Sequence, residues 1–262
     1  MLTLKVENDS GVLAEMSGDN EVVLVYGDEY KPGDRLTVES DDRDVYLVLQ
    51  LDDAMAPAFV FLSETGYSLP VPFEEKRVSY SPRAFIGDRH VLYVRSASED
   101  EIAVRKNLAF NPYDGHGNQS LFPHATANVE TRGESVFAAR NAVDGNKANI
   151  GHGPWPYQSW GINRDPEAEI KIDFGRDVTI DRAIIYLRAD FPHDAWWEKV
   201  TFDFSDGSTL DASLVKTHEG QVVSFAPKTV SWVLMHKLIK AEDPSPFPAL
   251  TQLELHGTDI TP

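Results

Sequence analysis

The chain reads as an all-β protein built from two β-sandwich domains, and three observations carry that reading. Turn clusters such as Gly27-Asp-Glu and Lys31-Pro-Gly-Asp34 recur at short, regular spacing along its 262 residues. The runs between them are rich in β-branched and aromatic residues, which fit a pleated, half-buried surface. No helical 3.6-residue period persists over a useful length of the first hundred positions.

The predicted strands follow in order. Leu2–Glu7, Glu21–Tyr26, Arg35–Glu39, Val45–Leu51, Phe59–Leu62 and His90–Val94 make up residues 1–108, with Ile102–Leu108 as a final strand. Residues 109–120, containing Asn111-Pro-Tyr-Asp-Gly-His-Gly-Asn118, have the composition of a linker. A second domain then spans residues 121–262. It opens with one helical segment, Glu134–Val143, and continues with strands at Glu169–Phe174, Asp181–Leu187, Lys199–Phe204, Thr209–Leu214, Gln221–Phe225, Ser231–Leu238 and Thr251–Gly257. Asp206-Gly207 between two alternating runs is a strong hairpin signal.

Composition excludes several functions. A net charge of −18 without any basic run argues against a nucleic-acid partner, because phosphate contacts need clustered Lys and Arg. The absence of cysteine excludes disulfides, a thiolate metal site and a Cys nucleophile. No apolar run approaches the length of a membrane span, and Met1-Leu-Thr-Leu-Lys-Val-Glu-Asn-Asp is unlike a signal peptide, which makes the cytoplasm the default expectation.

The aromatic distribution points to binding. All five tryptophans lie between Trp155 and Trp232, and four fall in His152-Gly-Pro-Trp-Pro-Tyr-Gln-Ser-Trp160 and Arg188-Ala-Asp-Phe-Pro-His-Asp-Ala-Trp-Trp197. Flat rings beside polar side chains suit a sugar, whose C–H face stacks on an aromatic while its hydroxyls take hydrogen bonds. His152, Trp155, Tyr157, Arg188, Asp190, His193, Asp194, Trp196 and Trp197 are therefore candidate ligand residues, with Phe247 at the edge from the Asp243-Pro-Ser-Pro-Phe-Pro248 loop. Trp160 and Trp232 read instead as core residues, and one of Trp196 and Trp197 should face inward. A salt bridge of Arg188 with Asp190 is an alternative use for those two charges.

The landmarks of the second half, in order, are Asn141-Ala-Val-Asp-Gly-Asn146, Gln158-Ser-Trp160, Ile170-Lys-Ile-Asp-Phe-Gly175, Ser205-Asp-Gly-Ser208 and Leu253-Glu-Leu-His-Gly257. This order resembles the discoidin, or coagulation-factor type C, superfamily and its family 32 carbohydrate-binding modules. The resemblance implies a galactose-binding-like jelly roll whose end loops hold ligand. It also implies a structural calcium, with Asp144, Asn146 and Asn149 on the Asp-Gly-Asn loop, carbonyls such as that of Asn141, and Glu254 reaching in from the last strand; Asn149 stands where Thr or Ser is more usual. An Asx turn is the other use of Asp144 and Asn146. Together these features predict a non-catalytic carbohydrate-binding protein with a glycan partner. A protein or lipid adhesion module is the alternative, followed by a glycan hydrolase using Asp190, His193 and Asp194. Neither a Gly-x-Ser-x-Gly elbow, a His-Glu-x-x-His helix nor a phosphate loop supports catalysis.

Overall fold

The computed structural model describes residues 1–260; the last two positions of the 121–262 span lie outside them. Strands dominate, every pairing among them is antiparallel, and two separate hydrophobic clusters form the cores. The first core lies between a four-stranded sheet, ordered Gly11–Gly18, Leu2–Asn8, Arg35–Ser40 and Gly66–Pro70, and a five-stranded one. The latter runs Leu121–Phe122, Ala58–Leu62, Val45–Gln50, His90–Ser96 and Glu21–Tyr26. Alternation is clear in Glu21–Tyr26, where Val22, Leu24 and Tyr26 point inward while Val23 and Val25 face solvent. Gly11–Gly18 escaped the sequence reading because it is an exposed edge with no buried side chain.

The second core is enclosed by an eight-stranded sheet that bends upon itself. Its centre is one long strand, Ile170–Leu187, where the sequence suggested two. Residues 170–173 pair with His124–Ala127 and with 232–235, whereas 178–187 pair with Ala249–Asp259 and with 221–230. Register breaks between Asp173 and Val178 let the strand turn the corner between layers. Gly175 sits at that corner with φ 68°, and the Phe122 ring packs where a Cβ would be, so two constraints call for glycine. Gln221–Lys240 likewise merges two predicted strands. Val230 and Val233, three residues apart, both face inward, so an intervening shift of parity turns Trp232 outward. Trp232 is thus half-buried beneath the Lys171 ammonium, 5.5 Å from its ring, and is not the core residue that alternation suggested.

Two further expectations change. Glu134–Val143 forms short 3-10 turns, Ser135–Phe137 and Ala139–Ala142, with extended Ala138 between them. The start of Ile102–Leu108 belongs to a helical turn, Glu99–Ala103, closed by a Ser98/Glu101 capping box.

Residues 109–120 have the sequence of a linker but are largely buried. Lys106–Asn107 pairs with Ala249–Asp259, and Leu108 and Ala109 enter the second core, while Tyr113 and Leu121 enter the first. Asp114 fastens this stitch. Its carboxylate accepts from Asn118 Nδ2 (2.8 Å), His124 Nδ1 (2.7 Å) and the Ala125 N–H (2.8 Å), and its carbonyl accepts from Arg140 Nε (3.0 Å).

Asp114→Ala strands these buried donors, and a loss on the order of 3 kcal/mol is expected by chemical denaturation; a value near zero would show that the stitch is dispensable. Burial disfavours the His124 imidazolium, but the Asp114 hydrogen bond and charge outweigh it and hold the pKa above the ordinary 6.5. Stability from this pair is therefore complete below pH 6.5 and falls as pH rises through the raised value. His124→Gln should flatten that part of the melting-temperature profile.

Candidate functional site

The loops 149–157, 188–196 and 243–248 converge beside the ends of the long strands. Leu187 closes one strand, and the chain is then held by Arg188 N–H to the Ala249 carbonyl (3.0 Å) and Ala189 N–H to the Asn149 carbonyl (2.7 Å). Beneath the loops lies a buried ion pair. Arg188 donates to Asp194 through Nη2 (2.6 Å) and Nε (3.0 Å to each oxygen), and Asp194 also accepts from the Asp190 N–H at 2.9 Å. The partner of Arg188 is Asp194 rather than Asp190, and both are buried. These two predicted ligand residues therefore shape the loop from below.

Above this pair, three rings form a ladder. His152 and His193 stack with centroids 4.0 Å apart and planes 4° apart, and His193 stacks on Phe247 at 5.4 Å and 12°. Their polar edges are fixed: His152 Nδ1 meets Asp190 Oδ2 at 2.6 Å, and His193 Nδ1 meets Asp194 Oδ1 at 2.9 Å. Ser245 Oγ donates to the His193 carbonyl at 2.5 Å, tying the third loop to the second. Both histidines are exposed, and Phe247 retains 42% of its surface. The ladder combines aromatic faces with imidazole and carboxylate hydrogen-bonding groups.

The predicted indoles lie elsewhere. Trp197 is fully buried against Trp160, with ring centroids 6.4 Å apart. Trp196 is half-buried, and the Lys216 ammonium covers it and Phe191 at 4.9 and 4.6 Å. Tyr157 packs on the backbone of Gly151, where a Cβ would lie 2.9 Å from the ring. Trp155 is 40% exposed but turns toward the first sandwich. Its N–H donates to the Val78 carbonyl at 2.8 Å, and its side chain lines a cleft of about 310 Å³ with Tyr80, Arg77 and Glu74. Lys216 and Ser245 had no distinguishing signal in the sequence; both act through the fold.

The residues expected to hold calcium are drawn into a different arrangement. The Asn141 amide donates to the Ser135 and Ser159 carbonyls, Asn146 to the Pro156 carbonyl and Asn149 to the Leu187 and His218 carbonyls. Glu254 pairs with Lys147 and with His256. Asp144 Oδ1 accepts from the Asn146 N–H and Gln252 Nε2, both at 2.8 Å, while Oδ2 accepts from Gln158 Nε2 at 2.7 Å. Burial pushes the Asp144 carboxyl up to about 6. Calcium asks for six to eight converging oxygens. The Asn146 and Asn149 amides present donors to carbonyls, the Asn141 carbonyl is taken by Gln252 Nε2, and Glu254 is turned to a lysine, so the set does not fit that ion. Among the described residues, His152, Asp190 and His193 are the one His/Asp group able to place three donor atoms within 4.8 Å. Imidazole donors suit a first-row transition ion better than calcium.

No protein-family model matches the chain, and nothing among curated proteins does. Solved structures that it is similar to include carbohydrate-binding modules and a GH29 fucosidase from Ruminococcus gnavus. A chitosan-binding module from a Paenibacillus sp. IK-5 chitosanase/glucanase has 21% identity, covering 58% of this chain and 99% of the module at TM-score 0.38. The family 32 module of Clostridium perfringens NanJ, solved with galactose, has 17% identity, covering 50% and 91% at 0.39. A Streptococcus pneumoniae fucose-binding module has 17% identity, covering 57% and 96% at 0.42. Likenesses this distant leave the function to be read from the chain's own site.

Removing Arg188 leaves Asp194 charged and buried without its counter-ion. Arg188→Ala should cost about 3–5 kcal/mol, as breaking a buried pair does. Trp197→Ala should cost a similar amount, about 3–5 kcal/mol, and Trp232→Ala clearly less. Equal losses at Trp197 and Trp232, measured by denaturation, would contradict the parity shift.

Proposed function

We propose that the chain binds a saccharide non-covalently at the exposed His152–His193–Phe247 ladder. The ladder itself carries this reading: exposed stacked rings stand beside imidazole and carboxylate edges in three loops fixed from beneath. A pyranose has the matching surface, an apolar C–H face with hydroxyls around its rim. Asp190 and the imidazole edges would take those hydroxyls, while Phe247 offers its exposed surface to the ring. The galactose and fucose named for the solved modules are suitable first ligands to try. Catalysis is not part of the proposal. Asp194, one of its candidate acids, is committed to Arg188, the Asp190 N–H and His193 Nδ1.

Glycan-array screening of the intact chain, followed by calorimetry on the best ligand, tests the site. His193→Ala and Phe247→Ala should each weaken binding about tenfold or more, since about 1.4 kcal/mol is one decade and a ring stack supplies that order. Their melting temperatures should stay close to wild type. Undiminished binding in both variants would move the site elsewhere, with the cleft of about 570 Å³ behind Pro246 and Pro248 next to be tested.

A further inference from the structure

We infer that the Gln252 carboxamide occupies the place of a cation, so that the loop 141–146 is clamped to the last strand without metal. Three oxygens gather around one nitrogen: Gln252 Nε2 lies 2.5 Å from the Asn141 carbonyl, 2.8 Å from Asp144 Oδ1 and 2.9 Å from the Thr251 carbonyl. The other end of the same amide accepts the Gly145 N–H at 3.0 Å. Gln252 and Asn141 are almost completely buried.

Desolvated carbonyl and carboxylate oxygens need either a positive charge or N–H donors. A dication would answer with charge. An –NH2 group answers with two directed donors, and the neighbouring Oε1 secures the Gly145 N–H of the same turn. A single side chain therefore satisfies both sides of the contact between the loop and Ala249–Asp259. Glu254, two residues onward, is committed to Lys147 and His256 and contributes no oxygen here. An ion of calcium's size at the position of Nε2 would have to expel the amide.

The intact chain is melted in EDTA and in millimolar calcium chloride, as wild type, Gln252→Glu and Gln252→Ala. Wild type should melt at the same temperature in both. Gln252→Glu sets a second carboxylate against Asp144; its melting temperature should fall by roughly 5 °C or more in EDTA and recover with calcium, because an ion that binds only the native state stabilises it. Gln252→Ala should melt below wild type and ignore calcium. If wild type itself loses stability in EDTA and regains it with calcium, the inference is overturned. It is also overturned if Gln252→Glu melts like wild type in both solutions. Should Gln252→Glu fail to fold even with calcium, the wild-type and Gln252→Ala melts decide.

Discussion

An ionised carboxylate taken out of water must be given donors or a counter-charge, and this demand organises the molecule at three points. Asp114 answers it at the seam between the two cores, with His124, Asn118 and a backbone N–H. Asp194 answers it beneath the ring ladder, with Arg188 and the Asp190 N–H. Asp144 answers it where the loop meets the last strand, with two glutamine amides and the Asn146 N–H. Losing one partner of such a group costs more than the contact contributes on average, because the remainder stays desolvated. Each cluster thereby fixes one loop in one position. The sandwich cores hold the strands, and the carboxylates decide what the ends of those strands present.

The fixed loops explain how so exposed a ladder keeps its geometry. A stack of three rings on unsupported loops would lose side-chain entropy for little gain. Here His193 is held at Nδ1 by Asp194 and at its carbonyl by Ser245, and His152 is held by Asp190. The ordering is done in folding and need not be repeated on binding, which is how preorganisation raises affinity.

The sequence made the β class legible because period-two alternation and Gly/Pro/Asp turns are local signals. Glu21–Tyr26 and Lys199–Phe204 were accessible in that way. What it could not show depends on register. One shifted residue between Val230 and Val233 turns Trp232 outward, and no local pattern marks the shift. The loops predicted for the site do converge, yet their rings exchange roles: Trp197 is drawn into the core, whereas His193 and Phe247 remain in solvent. The clamp was equally hidden. The sequence marked Glu254 as the acidic residue of the last strand, but Gln252 is the side chain that reaches Asn141, across 111 positions.

The first sandwich also contributes to the proposed binding edge, through contacts that a linker reading could not anticipate. Val78 takes the Trp155 N–H, Glu75 takes both the N–H and the hydroxyl of Ser135, and Tyr80 lies 4.3 Å beneath the Arg140 guanidinium. Arg140 in turn donates to the Pro112 and Asp114 carbonyls of the stitch. The loop that carries His152 is thus anchored at Trp155 by one sandwich, while His152 meets Asp190 of the other. Under the proposed binding reading, the first sandwich would act on the ladder by holding its loop in position, through Val78 and Trp155.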